Sequence, residues 1–473
     1  MRNNWLIYPL GDLIDVKHGF AFKGEYMRDD INHGPIVVAI GNFDYSGGFR
    51  FSETRTKRYT FEYPKDFTLQ AGDMLLAMTC QTSGGEILGI PGIIPNDGHV
   101  YLHNQRLGKV IVKKPELVCL EYLYWLFLSQ NFNQFIFQRA TGTKILHTSP
   151  KKILEYQTHF PPLAEQKKIA RQLWQLQNKT ILNRQINQTL EQMAQALFRS
   201  WFVDFDPVVD NALDAGFFEQ DLEFSDELLC RAEARKAVRK SADFKPLPED
   251  IRQLFPAAFE ECSEPSLGLG GWVPEGWKHG CISDVARYRT ERVDTTELTL
   301  DNYISTENML ADRKGVQPAT SLPTVNSVPS YTSGTVLVSN IRPYFKKIWL
   351  AKGDGGYSND VLGFEAKVSG TESYLFNLMY QDTFFDFMMA TSKGSKMPRG
   401  DKKAILGWNL VVPTLSLRLF FSEKVNDFYT SADSRHHENI TLNQLRDTLL
   451  PKLISGELRL SGSEVDTADE VLA

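Results

Sequence analysis

Two short segments of the sequence combine lysine or arginine side chains with a glycine. The first is GTKILHTSPKKILEYQTHFPPL (142–163), and the second is GSKMPRGDKKAILGWNLVVPTL (394–415). Lysine and arginine contact phosphate groups, and glycine lets a backbone approach a phosphate closely. These residue types therefore favour binding of a polyanion over catalysis. The alternative interpretation is a basic loop that precedes a strand and only faces solvent.

The second segment aligns with the first without a gap, at a constant offset of 252 residues. Gly142 corresponds to Gly394, and Lys151 corresponds to Lys403. Upstream, AGDMLLAMT (71–79) resembles SGTVLVSNI (333–341) at a different offset, as expected when loops of different length join similar strands. The sequence therefore predicts a tandem duplication of one compact unit, each copy followed by a helix.

The most regular pattern in the chain follows the first basic segment. Apolar or small residues recur over 169–201 at alternating spacings of four and three, which is the a/d seam of a heptad helix. The same register occurs over 421–453, with the same polar middle. The residues predicted to pair the two helices are Ile169, Leu173, Leu176, Leu190, Leu197, Phe421, Val425, Phe428, Leu442 and Leu449.

A single heptad helix cannot bury its apolar stripe alone, so we expect the two copies to pair with each other. Polar seam residues such as Asn183 and Asn439 would fix the register of this pair. An antiparallel pair of this length would separate two globular units by about 50 Å, or roughly 15 base pairs of DNA. The alternative is two unrelated amphipathic helices, each packed on its own domain.

Composition and charge place few limits on the binding partner. The chain has 473 residues, 42% of them hydrophobic, which suggests two to four globular domains. The net charge is −6, but residues 210–264 alone carry 14 acidic against 7 basic side chains, so the remainder is modestly basic. The five cysteines form no C-x-x-C pair, and no apolar run is long enough for a membrane span or a signal peptide. These features predict a cytoplasmic protein without a metal site.

No catalytic motif is visible in the sequence. There is no G-x-x-x-x-G-K-[ST] phosphate loop, and there is no Asn/Asp-Pro-Pro-aromatic quartet of the kind that an amino-methyltransferase needs. A fused restriction and methylation enzyme would require such motifs on this chain. We therefore expect a non-catalytic protein.

Several long motifs, in the right order, resemble one known family. The run FPPLAEQKKIARQLWQLQNKTILNRQINQTLEQMAQALFRSWFVDFDPV (160–208) is similar to the central region of the specificity subunits of type I restriction-modification systems. The segments 254–277 and 449–460 resemble the family's lead-in to its second recognition domain and its C-terminal helix end. With the duplication, the resemblance covers nearly the whole chain.

The resemblance implies a subunit for host defence and DNA methylation that performs no chemistry itself. Each of two recognition domains would read one half of a bipartite, asymmetric target in double-stranded DNA, and the helices would set the spacing. The chain would dock two methyltransferase subunits and two restriction-translocase subunits. S-adenosylmethionine, ATP and magnesium would be bound by those partners, with no cofactor on this chain and no contact with a membrane.

The predicted fold is α+β, with two similar α/β target-recognition domains separated by a pair of long helices that form an intrachain antiparallel coiled coil. The predicted parts are a first recognition domain (1–155), a first heptad helix (156–205), an acidic linker or insert (206–272), a second recognition domain (273–407), a second heptad helix (408–462) and a disordered acidic tail (463–473). The insert is expected to be a partly ordered connector whose hydrophobic residues contact the methyltransferase.

Residues that read different half-sites should lie at corresponding places in the two halves and differ in type. Arginine, lysine, amide and hydroxyl side chains bond to base edges or phosphates, and we selected such residues near the ends of the predicted strands. The candidates in the first half are Lys57, Arg58, Tyr59, Gln81, Thr82, Asn104, Gln105, Arg106, Lys144, Lys151 and Lys152. Those in the second half are Ser339, Asn340, Arg342, Tyr344, Lys346, Asn359, Lys396, Arg399 and Lys403.

Two other functions also fit the sequence. The chain could serve a DNA-modification complex that contains a methyltransferase but no restriction subunit. It could also be a coiled-coil spacer that joins proteins without binding DNA. The latter predicts no salt-dependent affinity for DNA, whereas phosphate contacts produce a steep dependence on salt.

Overall fold

The chain divides into two units that share both long helices. A computed structural model describes residues 5–51, 56–394 and 396–460. Unit 1 consists of Met1–Asn183 with His436–Ala473, and unit 2 consists of Arg184–Arg435.

Unit 1 contains short strands and helices followed by the first long helix. The strands are β1 (Leu6–Pro9), β2 (Ile14–His18), β3 (Met27–Arg28), β4 (Ile36–Val37), β5 (Lys57–Tyr59), β6 (Thr68–Leu69), β7 (Met74–Ala77), β8 (Thr79–Cys80), β9 (Pro91–Ile93), β10 (Tyr101–Leu102), β11 (Leu107–Val112), β12 (Leu146–His147) and β13 (Gln157–Phe160). The helices are α1 (Leu10–Leu13), α2 (Leu120–Phe127), α3 (Gln130–Gln138), α4 (Pro150–Leu154) and the start of α5 (Leu163–Phe202).

The core of unit 1 is an antiparallel sheet in the order β2-β11-β7-β9. All four residues of β7 are buried, as expected for a strand with apolar residues on both faces and packing on both sides. Helix α2 contributes a continuous buried run from Tyr122 to Phe127 to the same core. A second sheet, β3-β5-β4-β10-β6, includes one parallel pair, β4 with β10.

Unit 2 holds a longer series of elements between the two long helices. The helices are α6 (Asp206–Asp214), α7 (Asp226–Arg239), α8 (Glu249–Arg252), α9 (Ile282–Val285), α10 (Glu372–Tyr380), α11 (Asp382–Ala390), α12 (Lys402–Leu406) and the start of α13 (Leu415–Ser455). The strands are β14 (Phe259–Glu261), β15 (Trp272–Pro274), β16 (Lys278–Cys281), β17 (Ala286–Tyr288), β18 (Arg292–Asp294), β19 (Tyr303–Ile304), β20 (Ser327–Tyr331), β21 (Val336–Ser339), β22 (Ile348–Leu350), β23 (Gly355–Tyr357), β24 (Val361–Ala366) and β25 (Asn409–Val412).

The sheets of the two units repeat one topology. The order β17-β24-β21-β22 in unit 2 matches β2-β11-β7-β9 in unit 1, and the pair β16-β25 matches β1-β13. Even single hydrogen bonds recur: Leu10 N–H donates to Tyr156 O at 2.8 Å, and Ile282 N–H donates to Trp408 O at 3.1 Å. The second sheets differ, because unit 2 has the order β18-β20-β23-β19. The two copies therefore share a core and vary at its periphery.

The two long helices pack against each other in an antiparallel sense within each unit. In unit 1, Gln177 Oε1 accepts a hydrogen bond of 2.8 Å from Arg446, and Asn183 Nδ2 donates to Asn439 Oδ1 at 3.0 Å. In unit 2, Asn187 Nδ2 donates to the carbonyl of Ala432 at 2.9 Å. The residue numbers of the partners on α13 decrease as those on α5 increase, so the two helices run antiparallel. The predicted α+β fold, with two similar domains and an antiparallel pair of long helices, is confirmed.

The predicted seam positions lie on the packed face of both helices. Ile169 and Leu173 are almost completely buried in the core of unit 1, and Phe421 and Val425 are buried in that of unit 2. The other predicted seam residues are partly buried, namely Leu176, Leu190, Leu197, Phe428, Leu442 and Leu449. The stripe follows from the heptad period, since residues at that spacing share one helix face.

Both long helices are shorter than the sequence predicted. The predicted ranges 156–205 and 408–462 include, near their starts, the strands β13 and β25, which pair with β1 and β16. Helix α5 begins only after Pro161-Pro162, because proline cannot donate the backbone hydrogen bonds that a helix interior requires. The predicted disordered tail, 463–473, lies outside the described residues.

The acidic insert, 206–272, is folded, and the prediction of a partly ordered connector is wrong. Its helices and the hairpin β14-β15 enter the core of unit 2, where Val208, Val209 and Leu228 are completely buried. Three of its aspartates are paired internally: those one turn apart on α6 (Asp206, Asp210 and Asp214) face arginines one turn apart on α7 (Arg231, Arg235 and Arg239). We call this set the α6–α7 charge ladder.

Candidate nucleic-acid interface

Three segments predicted to bind DNA meet at one edge of unit 1. The N–H of Met78, just after β7, donates to the carbonyl of Arg106 at 3.1 Å, and its carbonyl accepts from Thr148 N–H at 2.9 Å. Strands β8 and β12 pair directly, with His147 opposite Thr79. The turn that follows β8, the turn before β11 and the basic loop 139–152 therefore form one continuous surface, which we call the three-segment frame.

The same frame exists in unit 2, with other side chains. The N–H of Asn340 donates to the carbonyl of Asp360 at 2.8 Å, and the carbonyl of Asn340 accepts from Gly400 N–H at 3.2 Å. Ile341 forms a β-bridge with Arg399 in place of the pairing of Thr79 with His147. The frame is a property of the backbone, and the exposed side chains that it presents differ between the units.

Most of the predicted residues of unit 1 are accessible at or near its frame. Those that face solvent are Lys57, Gln81, Thr82, Gln105, Arg106, Lys144 and Lys151, and those that are partly buried are Arg58, Asn104 and Lys152. The ammonium group of Lys152 donates to the carbonyl of Arg139 at 2.5 Å, which joins the two ends of the basic loop. Arg58 Nη1 donates to the carbonyl of Gly34 at 2.8 Å, on the second sheet.

Tyr59 does not belong to the accessible surface, so its predicted role in DNA contact is wrong. It is only 4% exposed, and its ring packs edge-on against Phe22 at 4.9 Å between centroids. The three residues 57–59 form strand β5, and Tyr59 belongs to a buried cluster with Phe22, Val37 and Leu102. An aromatic residue beside two basic ones is therefore a core residue here.

The predicted residues of unit 2 separate into exposed and buried groups. Those that face solvent are Arg342, Tyr344, Asn359, Lys396, Arg399 and Lys403. Ser339 and Asn340 are buried, at 2% and 7% exposure, which contradicts their prediction as direct contacts. The hydroxyl of Ser339 donates to the carbonyl of Ile341 at 3.1 Å. Both residues stabilise the frame from within, where the buried strand β21 ends.

The loop 342–346 holds an unusual backbone conformation. Arg342 and Lys346 have φ values of 50° and 49°, a left-handed region that costs non-glycine residues about 1–2 kcal/mol each. Arg342 N–H donates to the carbonyl of Pro398 at 2.8 Å, so the loop is fixed to the basic segment 393–403. This arrangement holds the Tyr344 ring in solvent, 49% exposed.

Lys346 already has an acidic partner. Its ammonium lies 2.6 Å from Asp382 Oδ1, and Arg313 binds the same oxygen. Hydrogen bonds from Arg313 and Lys346 lower the pKa of Asp382 to about 2, so this carboxylate stays charged at neutral pH. The Lys346 charge is therefore partly compensated inside the protein, unlike that of the exposed Lys403.

His103 anchors the turn that carries Asn104 to Arg106. It is buried, and its Nε2 lies 2.9 Å from the carbonyl of Leu107. Burial lowers the pKa of His103 to about 4, so the folded protein keeps the ring neutral. In an unfolded chain the histidine takes up a proton near pH 6.5. The contribution of neutral His103 to folding stability is therefore complete above pH 6.5 and decreases as the pH falls toward 4.

We expect the dependence of stability on pH to weaken when His103 is replaced with glutamine. Between pH 6.5 and 4, neutral His103 should account for about 3 kcal/mol of lost unfolding free energy. His103→Gln, whose amide can still donate to Leu107 O, should have a flatter stability profile over that range, measured by denaturant unfolding of the full chain. His33→Gln, at an exposed histidine, is the control and should follow the unsubstituted protein. Equal slopes for the two variants would contradict the assignment.

Sequence reasoning missed one residue of the frames, His147, and included another, Asp360, only within the polar segment 358–360 that corresponds to 104–106. His147 is exposed in unit 1, and its Nδ1 lies 3.1 Å from Thr79 Oγ1. The Asp360 side chain is 43% exposed in unit 2 and binds Arg399, with 3.1 Å between Oδ1 and Nη2. The constant offset of 252 already pairs His147 with Arg399, and this signal could have identified His147.

Neither a metal site nor a membrane helix is found in the part of the chain that the structure describes. No group of three or more metal-ligating side chains occurs there. No helix in those ranges is long and apolar enough to cross a membrane.

Comparisons with known proteins agree on one family. The family described as "Type I restriction modification DNA specificity domain" matches residues 2–192. The type I restriction enzyme HindI specificity subunit of Haemophilus influenzae is 24% identical over 500 residues, covering 96% of this chain and 100% of the relative. The MjaVIII specificity subunit of Methanocaldococcus jannaschii is 27% identical over 40% of this chain and 43% of its own length.

A solved structure has the same overall fold. The type I restriction-modification system S subunit from M. genitalium aligns with a TM-score of 0.52, over 95% of this chain and 96% of that one, at 13% sequence identity. At that identity the likeness shows the fold alone.

Proposed function

The chain belongs to the specificity subunits of type I restriction-modification systems, and we propose that it reads a bipartite, asymmetric DNA target without catalysing a reaction itself. One observation carries this proposal: the same three-segment frame occurs twice and presents different exposed side chains each time. A duplicated backbone with two sets of polar side chains suits a target with two unlike halves. Each domain would then read one half-site.

The side chains of the two frames divide into two proposed roles. Exposed lysines such as Lys144, Lys151, Lys396 and Lys403 would neutralise phosphates and position each domain on the duplex. Exposed polar residues at the turns, including Gln81, Gln105 and Arg342, would reach base edges. Thr82 also hydrogen-bonds Glu86, so its hydroxyl is engaged in the free protein.

The partners and the spacing follow from the same family membership. Two methyltransferase subunits and two restriction-translocase subunits would assemble on the chain, and those subunits would bind S-adenosylmethionine, ATP and magnesium. The long helices would set the unspecific gap between the half-sites. A complex with the methyltransferase alone is the second candidate.

Methylation mapping is the experiment that tests this function. The chain should be co-expressed with its cognate methyltransferase subunit in a methylation-free host, and modified bases should be mapped across the genome. We expect one motif with two short specific parts and a fixed unspecific gap. If the two subunits co-purified but no motif appeared, the assignment of the reading domains would be contradicted. If the two subunits did not associate, the proposed partnership with the methyltransferase would be contradicted.

Replacing one frame lysine should weaken binding without changing the motif. Lys403→Gln removes an exposed cation of unit 2, and Lys151→Gln removes the corresponding cation of unit 1. Each should reduce the slope of log K against log salt concentration by about 1, because about one fewer counterion is released. The measurement is a salt titration of DNA binding by the co-expressed complex. An unchanged slope with both variants would argue against phosphate contact by these segments.

A further inference from the structure

The register of the two frames assigns corresponding positions more firmly than alignment of the sequences does. Met78 and Asn340 occupy the same place, because each exchanges backbone hydrogen bonds with the other two segments of its own frame. By that criterion Arg106 corresponds to Asp360, and His147 corresponds to Arg399. Side chains at these positions leave equivalent points of the backbone, so a difference in type is a difference in what the surface can bind.

The residues at these two corresponding positions form an ion pair in unit 2 but not in unit 1. Arg399 Nη2 lies 3.1 Å from Asp360 Oδ1, and the side chains are 52% and 43% exposed. In unit 1 the corresponding residues are Arg106 and His147, neither of which is acidic, and both face solvent. An exposed ion pair of this kind contributes little to stability. The pair therefore calls for an explanation other than stability of the fold.

The backbone that carries Arg399 is well fixed. Arg399 and Lys393 exchange two backbone hydrogen bonds, of 2.9 and 3.0 Å, across the basic loop. Ile341 bridges to Arg399 on the side facing the end of β21. With its backbone held on both sides and one edge of its guanidinium bound by Asp360, this long side chain loses little freedom on binding a ligand.

We propose that Arg399, positioned by Asp360, reads a guanine in the half-site bound by unit 2, an inference that rests on the proposed function. Two parallel N–H groups of a guanidinium match the O6 and N7 acceptors of guanine in the major groove. A carboxylate beside the guanidinium can also accept a hydrogen bond from N4 of cytosine. The pair therefore fits a G·C base pair. The half-site bound by unit 1 is read by other means, because that unit has no equivalent pair.

The variants that test this inference separate charge from geometry. Arg399→Gln removes both the charge and the two parallel N–H donors of the guanidinium. Arg399→Lys keeps the charge and removes only the two parallel donors. Asp360→Asn keeps the shape and removes the ion pair. Lys403→Gln is the matched control, because it removes an exposed cation of the same segment that has a proposed phosphate contact alone.

Each variant should be co-expressed as a full chain with the methyltransferase subunit, and its motif should be mapped beside that of the unsubstituted chain. We expect both Arg399 variants to lose preference for guanine at one position of one half, by roughly 5- to 150-fold, with the other half unchanged. Asp360→Asn should relax the same position less. Lys403→Gln should leave the motif intact.

The outcomes distinguish this inference from the function on which it rests. If the unsubstituted chain gives no bipartite motif, the proposed function fails. If it gives one and Arg399→Lys leaves every position as selective as before, the assignment of Arg399 is overturned and the proposed function stands. If a variant gives no methylation, the test is made by binding instead. The affinity of the purified complex is then measured for duplexes that carry each base in turn at every motif position. Equal discrimination by variant and unsubstituted complexes would again overturn the inference.

Discussion

Replacing Trp201 with alanine is expected to destabilise unit 2 by about 3–5 kcal/mol, because a buried aromatic side chain leaves a cavity that its neighbours cannot fill. Trp201 lies near the end of α5 and is 4% exposed. Its ring centroid lies 5.1 Å from that of Phe255 in the insert and 5.9 Å from that of Phe421 on α13. One side chain therefore joins a long helix, its partner helix and the insert.

The measurement is hydrogen exchange of the full chain in increasing denaturant. Peptides that contain β21 and β24 should lose protection in Trp201→Ala, and peptides that contain β7 and β11 of unit 1 serve as the internal reference. Met193→Ala, on an exposed side chain of the same helix, should change the stability of unit 2 by no more than about 0.5 kcal/mol. A loss below about 1 kcal/mol for Trp201→Ala would contradict the packing described for this cluster.

The helix pair and the duplication could be predicted from sequence because both rest on periodicity. A heptad pattern fixes which face of α5 and α13 is buried, and the fold class built on it is confirmed. The ends of the helices were not predictable by the same means. Strands β13 and β25 are only four residues long, and their partners lie far away in the sequence, at β1 and β16. Local pattern carries no information about such distant pairing.

The insert was misjudged because charge alone does not report exposure. Its aspartates look like a solvated acidic stretch in the sequence, yet each one on α6 has an arginine partner 25 residues further along the chain. The spacing of four on both helices was visible, and it would have predicted a ladder if the two segments had been recognised as parallel neighbours. The packing of the two helices determines which charged side chains come into contact. The pattern of a single sequence does not reveal that packing.

The candidate interface was predictable as segments but not as individual side chains. Repetition and charge identified all three parts of the frame in each unit, whereas the burial of Tyr59, Ser339 and Asn340 depends on how the strands pack in the folded chain. Asp360 belongs to the polar segment 358–360 that the sequence places in correspondence with 104–106, but the sequence does not reveal its contact with Arg399. Asp360 binds the side chain of Arg399, and Arg399 comes from a different segment of the chain.

Reversing one charge of the α6–α7 charge ladder should destabilise the insert strongly. In the native protein Arg235 binds Asp210, with 3.1 Å between Nε and Oδ1, and its Nε also lies 3.7 Å from Asp206 Oδ1. The Arg235 and Asp210 side chains are only 15% and 19% exposed. Arg235→Glu would place three carboxylates together at a poorly solvated position, and we expect a cost of about 3–5 kcal/mol in the unfolding free energy of unit 2.

A compensating exchange separates charge from packing in this prediction. Asp210→Arg combined with Arg235→Glu restores the central pair and should recover part of the lost stability, although Asp206 still faces the new glutamate. Lys236→Glu, which changes an exposed lysine paired with Glu233 on the same helix, should cost no more than about 1 kcal/mol. The measurement is denaturant unfolding of the full chain, with exchange of α6 and α7 peptides to locate the effect. If Arg235→Glu were as mild as Lys236→Glu, the ladder would be incidental, and the apolar contacts of Val208, Val209 and Leu228 alone would hold the insert in the core.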